Sequence, residues 1–255
     1  MTALRVGLLA AALTACGCSS DPVFLGQNPD IVWWTDHESG DFSDWNQGGK
    51  VWTIGGGKVD MVSTPARSGT HALRSVTDAS NPSELSVAIA TREGEQAGVL
   101  CYSAWYYLPS LVSATDVWLF FKFRSRQQID DSSTSVEVWD LDVVPSGSDF
   151  VFSLYSHQRT TLFSAPSARV PVLRWFQLEA CLLASNGADG WLTVWLDGAQ
   201  LFRIEGPTAP TRWVEWNVGS VAQATTPAAA TVYIDDAAVS TRQLGPDFPV
   251  FWRRP

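Results

Sequence analysis

Apolar and polar residues alternate along most of this chain in short runs bounded by Gly, Pro, Asn, Asp and Ser. Period-two alternation is the mark of extended backbone with one face buried. The clearest case is "DGWLTVWLDGAQLFRIEG": Leu192, Val194 and Leu196 point one way and Trp191, Thr193 and Trp195 the other, with Asp197-Gly198 supplying the turn of a hairpin. The pattern predicts twelve strands, over 50–54, 72–77, 84–91, 99–108, 117–126, 135–143, 149–159, 175–183, 191–196, 200–205, 212–218 and 231–239. No long stretch carries helical periodicity, and "SVAQATTPAAAT" reads as a loop before the last strand. Twelve strands exceed an immunoglobulin-sized module and suit an all-β fold, a two-sheet antiparallel jelly-roll β-sandwich.

Composition agrees with a folded β domain: 45% of residues are apolar, only 17% are charged, and there are 13 Trp and 12 Phe. The first residues are read apart from the fold. "MTALRVGLLAAALTACGCSS" has an early cation, Arg5, an apolar run too short to span a membrane, then small residues, the layout of a secretory signal. Leu13-Thr14-Ala15-Cys16 resembles the lipobox of bacterial lipoproteins, which implies lipid attachment at Cys16; Gly17 after it implies the outer membrane or cell surface. The expected layout is a signal peptide over 1–15, a lipid-anchored tether over 16–30 and one domain over 31–255, a monomer touching the membrane only through its N-terminal lipid.

Removing residues 1–15 leaves 16 basic against 26 acidic residues. That balance argues against nucleic acid as a partner, because phosphate neutralisation needs clustered cations. Cys101 and Cys181 lie in two strand-like runs without metal-ligand spacing. They are either buried thiols or, in an oxidising compartment, a disulfide closing a loop of about 80 residues.

Several motifs resemble concanavalin A-like lectin/glucanase jelly rolls, including the polysaccharide-lyase-like members. They are the Trp-x-Asp-Gly hairpin at Trp195 to Gly198, "DHESGDFSDW" with His37 where Phe is usual, "RSGTHALR", "YSAWYYLP" and "TVYIDDAAVS". The resemblance implies a concanavalin A-like sandwich with a groove across one concave sheet. It further implies that Glu38, Asp41, Asp235 and Asp236 occupy positions which in many such domains hold a structural Ca²⁺; no other cofactor is expected.

Strict alternation then selects the side chains facing outward: Trp105 and Tyr107; Trp118, Lys122, Arg124 and Arg126; Tyr155, His157 and Arg159; Gln177 and Glu179. Aromatic rings stack on pyranose faces, amides and carboxylates take hydroxyls, and cations suit uronate groups, so these residues are expected to bind a polysaccharide. The reading taken is an envelope-anchored glycan-binding protein, with a non-catalytic protein-interaction module as a further alternative. The enzymatic alternative is a polysaccharide lyase cleaving uronate-containing glycans by β-elimination, with Tyr155, His157 and Arg124 as its catalytic groups. A glucanase is rejected, because Glu137 stands three residues before Asp140 and alternation sends the two to opposite faces. "TIGGGKVD" lacks the end of a phosphate loop, and no nucleophile-elbow sequence occurs.

Overall fold

A computed structural model describes residues 30–45, 49–129 and 132–248. The expected signal, the tether and its Cys16 lie outside the described residues. Fifteen strands follow one another: β1 (Ile31–Thr35), β2 (Gly49–Ile54), β3 (Lys58–Val62), β4 (Ala72–Asp78), β5 (Ser86–Glu95), β6 (Leu100–Tyr107), β7 (Ser113–Ile129), β8 (Ser132–Ser146), β9 (Asp149–Ser156), β10 (Thr161–Arg169), β11 (Trp175–Leu183), β12 (Trp191–Leu196), β13 (Ala199–Glu205), β14 (Trp213–Thr226) and β15 (Ala229–Ser240). The described residues contain no helix.

One sheet has the order β13-β12-β11-β6-β15-β4-β3, with β1 also pairing β15; the other has the order β10-β9-β8-β7-β14-β5-β2. Every pairing is antiparallel. The all-β two-sheet jelly roll is therefore the fold. Beyond the twelve expected strands stand β1, β3 and β10. β1 carries apolar residues on both of its faces, β3 is half-buried almost throughout, and β10 at the sheet edge leaves most of its residues in solvent, so none sets a buried apolar face against an exposed polar one, the alternation that marks a strand.

The inner faces enclose an aromatic core. Trp216 packs against Tyr102, Phe121 and Trp45, and Phe120 packs against Tyr106, Phe152 and Phe176. Such tilted and edge-on ring pairs add to the burial of large apolar area. In the other sheet, Cys101 and Cys181 stand directly opposite in the β6–β11 register and are joined by a disulfide. The β12–β13 hairpin closes through Asp197 and Gly198, both at positive φ (48° and 78°), as a two-residue primed turn requires.

Two irregularities control which residues face out of the seven-stranded sheet. β7 is bulged between Leu119 and Phe121, and the β7–β8 register shifts again between Phe123 and Arg124, opposite Trp139 and Glu137. A bulge places two successive residues on one side of the sheet. Trp118, Phe120, Phe121 and Phe123 thus all enter the core, together with the adjacent pair Val138 and Trp139. On β14 the matching shift between Val218 and Val221 contains Gly219, at φ 133°, where a Cβ would lie 2.2 Å from the Ala88 carbonyl oxygen. Only glycine fits so close to the neighbouring strand.

A charged row across the seven-stranded sheet

In register across the outer face stand Lys50 on β2, Thr91 on β5, Asn217 on β14, Lys122 on β7, Asp140 on β8, Tyr155 on β9 and Leu162 on β10. With strands about 4.8 Å apart, the row spans on the order of 29 Å. Alongside runs a second row, Glu93, Glu215, Arg124 and Glu137. On the opposite side lies a small apolar cluster of Val87, Ile89, Leu119 and Val221.

The centre of the face is a compact ion-pair network. Lys122 is almost wholly buried, and its Nζ sits 2.5 Å from Glu137 Oε1 and 3.6 Å from Asp140 Oδ1. His157 Nε2 lies 2.8 Å from Asp140 Oδ2 and 3.6 Å from Glu137 Oε2. The Tyr155 and His157 rings form a T-shaped pair, with centroids 4.9 Å apart at 83°.

The hydrogen bond with Asp140 raises the His157 pKa; burial opposes the shift, and the Asp140 and Glu137 charges reinforce it. Burial, with the charge of Asp140, pushes the Asp142 carboxyl up to about 7, against the pull of His157 and Lys122. Asp140 and Asp142 stand on one strand face, the first beside the lysine and the second raised toward neutrality, so that Asp142 can hold a proton there.

Nearby, Arg124 lies 3.6 Å from Glu215 and donates to the Ser135 carbonyl, and its guanidinium is 6.0 Å from the Trp52 ring. Lys50 covers the same ring at 4.3 Å. Thr91 donates to the Asn217 side-chain oxygen at 2.6 Å, which fixes the amide and leaves its Nδ2 without a partner among the described residues. Buried donors without protein partners are uncommon and suit a ligand oxygen. Beyond His157 opens a cavity of about 550 Å³, lined by Glu137, His157, Gln158, Arg159 and Asn186 among others.

Glu137, Asp140 and His157 are, among the described residues, the one group of three or more acidic, His or Cys side chains close enough to share a metal ion. Lys122 already supplies a positive charge between two of them, and a metal would have to displace it.

Of the residues expected on the binding face, Lys122, Arg124, Arg126, Tyr155 and His157 do share it. Arg126 lies toward its rim, 3.8 Å from the Trp213 ring. Arg159 sits beside the cavity, tied to the Glu205 and Pro207 carbonyls. Trp118 must be corrected: the bulge turns it into the core, where its indole donates to Ser220.

Trp105, Tyr107, Gln177 and Glu179 belong to the other sheet and cannot join this row. There Arg67 covers Trp105 at 3.7 Å, and Tyr107 packs between Trp175 and Tyr233. Gln177 binds Ser103 and the Gly245 carbonyl, while Glu179 accepts from Leu244 and Gly245 N–H beneath the C-terminal segment. Burial raises the Glu179 pKa, against those two bonds.

The expected calcium quartet does not converge. Glu38 is taken by Thr70 and His71, Asp235 by the Arg67 and Ser68 N–H groups, and Asp236 by the Arg67 guanidinium, while Asp41 caps the Ser43 N–H. We assign no cation there.

Sequence reasoning missed Glu137, Asn217, Trp52 and Asp142 as parts of the site. Glu137 was sent to the wrong face because alternation knows nothing of a bulge. Lys50, Thr91 and Asn217 become neighbours of Lys122 only through the strand order.

A family model described as polysaccharide lyase matches residues 37–238, so the chain belongs to the polysaccharide lyase family. No curated protein sequence matches it. Among solved structures it is similar to the endo-β-1,4-glucuronan lyase of the fungus Trichoderma reesei, at 15% identity and TM-score 0.65, covering 85% of this chain and 99% of that one. It is also similar to the marine PL-14 alginate lyase of Aplysia kurodai, at 11% identity and TM-score 0.57, covering 83% and 99%. For alginate lyase Aly36B the figures are 10%, 0.54, 86% and 94%. The family outweighs the reading as a purely binding protein and favours the enzymatic alternative.

Proposed function

We propose that this chain is a polysaccharide lyase that cleaves a uronate-containing glycan by β-elimination on the outer face of the seven-stranded sheet. The observation carrying the proposal is the convergence of Tyr155, His157, Lys122 and Arg124 beside a buried amide donor, in a member of this family. Arg124 and the free Asn217 N–H neutralise the uronate carboxylate, which makes the C5 proton removable. Tyr155, entering the step as its phenolate, accepts that proton and becomes the neutral phenol, the C4–O bond breaks with formation of a C4=C5 double bond, and protonated His157 gives its proton to the leaving oxygen. Asp140 holds His157 in place and cationic; Lys122 and Glu137 hold Asp140.

The full domain incubated with glucuronan, alginate and polygalacturonate should generate the ultraviolet absorbance of an unsaturated uronate with at least one of them. His157→Ala should lower kcat by about 100-fold or more. As a general acid, His157 should lose activity as pH rises through its raised pKa, above the ordinary value of about 6.5. Glycan binding without new absorbance would return the protein to a lectin, and new reducing ends without absorbance would make it a hydrolase.

The same proposal places the enzyme outside the cytoplasm, anchored through Cys16. Support comes from the lipobox-like sequence and from a disulfide suited to an oxidising compartment. Detergent-phase partitioning that Cys16→Ser fails to abolish would reject the anchor.

A further inference from the structure

The hairpin that first marked this chain as β has no part in the charged row, since it belongs to the other sheet. Its outward residues Trp191, Thr193 and Trp195 border a cavity of about 560 Å³ on that sheet's outer face. The floor is one register line, Arg203 on β13, Thr193 on β12, then Cys181 and Cys101 on β11 and β6. The disulfide makes that floor covalent. The two indoles stand four residues apart on one strand, about 13 Å, so they flank the floor at either end. Arg203 lies over Trp191 at 4.4 Å and is held by Thr193 Oγ1 at 2.8 Å, which fixes a guanidinium at the edge of the space. Arg242 borders the other wall, paired with Asp30.

Gln200 is exposed and the two indoles are half-buried, so their polar atoms are open to a ligand entering the cavity. The acids paired with the two arginines, Glu205 with Arg203 and Asp30 with Arg242, are exposed or half-exposed, and such pairs are weak enough to exchange for a ligand. Indole faces, amides and guanidinium groups together match a saccharide bearing a carboxylate.

We infer that this cavity, on the sheet opposite the charged row, is a second and non-catalytic binding site for an acidic glycan, with Trp195 and Arg203 as its anchors. Its binding is measured without reference to product and stands whether or not the charged row is catalytic.

The test is retardation of the full chain in native gels containing glucuronan, alginate or polygalacturonate, with a neutral glucan gel as control. It is run in the His157→Ala background and in the wild type. Trp195→Ala and Arg203→Gln should each weaken retention by about fivefold or more. Neither should change turnover of short uronate oligosaccharides. Arg203→Lys, which keeps the charge, should retain part of the affinity, guarding against a merely misfolded Arg203→Gln, and Trp195→Phe does the same for Trp195→Ala. Unchanged retention in the two loss variants overturns the site. So does equal retention in the neutral gel, or a mass by light scattering that falls from dimer to monomer in Trp195→Ala, which would make the cavity a contact with a second copy.

Discussion

Lys122 is the residue on which the charged row depends. Its ammonium group is almost wholly buried with Asp140, while Glu137 reaches it from the solvent side. A buried cation is tolerated because two carboxylates offset its desolvation, and removing it leaves Asp140 without that compensation. Lys122→Met should destabilise the domain by about 3 kcal/mol in urea unfolding, and it should also loosen His157 by freeing Asp140. Asp142 carries the opposite sign. Its folded pKa, about 7, lies above that of a free aspartate, so its stabilising contribution is fully present below the unfolded value and is lost as pH rises toward 7. Asp142→Asn, neutral at every pH, should therefore be more stable than the wild type at pH 8 by about 1–3 kcal/mol. At pH 4 the two should melt together, and thermal melts at both pH values check this.

At the level of the strand, alternation was sufficient to find Lys122, Arg124, Arg126, Tyr155 and His157, because between irregularities a β-strand obeys period two. It failed at Trp118 and Glu137, each separated from correctly placed residues by a bulge that nothing in its own segment announces. Asn217 was invisible for another reason. Its importance comes from pairing with Lys122 across β14 and β7, nearly a hundred residues apart in the chain, and strand order cannot be read from one strand's composition. β10 escaped the pattern because an edge strand with most of its residues in solvent has no clean buried face. Gly219 is the bulge residue whose replacement tests this account. Gly219→Ala sets a methyl group against the Ala88 carbonyl at a φ that other residues avoid, and should cost about 1–3 kcal/mol, read as a lower urea midpoint with an unchanged slope.

For the molecule as a whole, the two sheets divide the labour between a charged face and a disulfide-floored face. The bridge closes a separation of 80 residues, and the doubly substituted Cys101→Ala, Cys181→Ala chain should lose on the order of 4 kcal/mol of unfolding free energy. Circular dichroism during urea titration, with the oxidised and reduced wild type as references, measures that loss. The strands of the charged sheet run transverse to its central row, and each gives that row a single side chain. A polymer lying along the row would meet one strand after another, like a thread drawn over the teeth of a comb. On the proposed reading, selectivity can then be altered tooth by tooth: exchanging Lys50, at the far end of the row from Tyr155, changes what is accepted there and leaves Tyr155 and its neighbours where they stand.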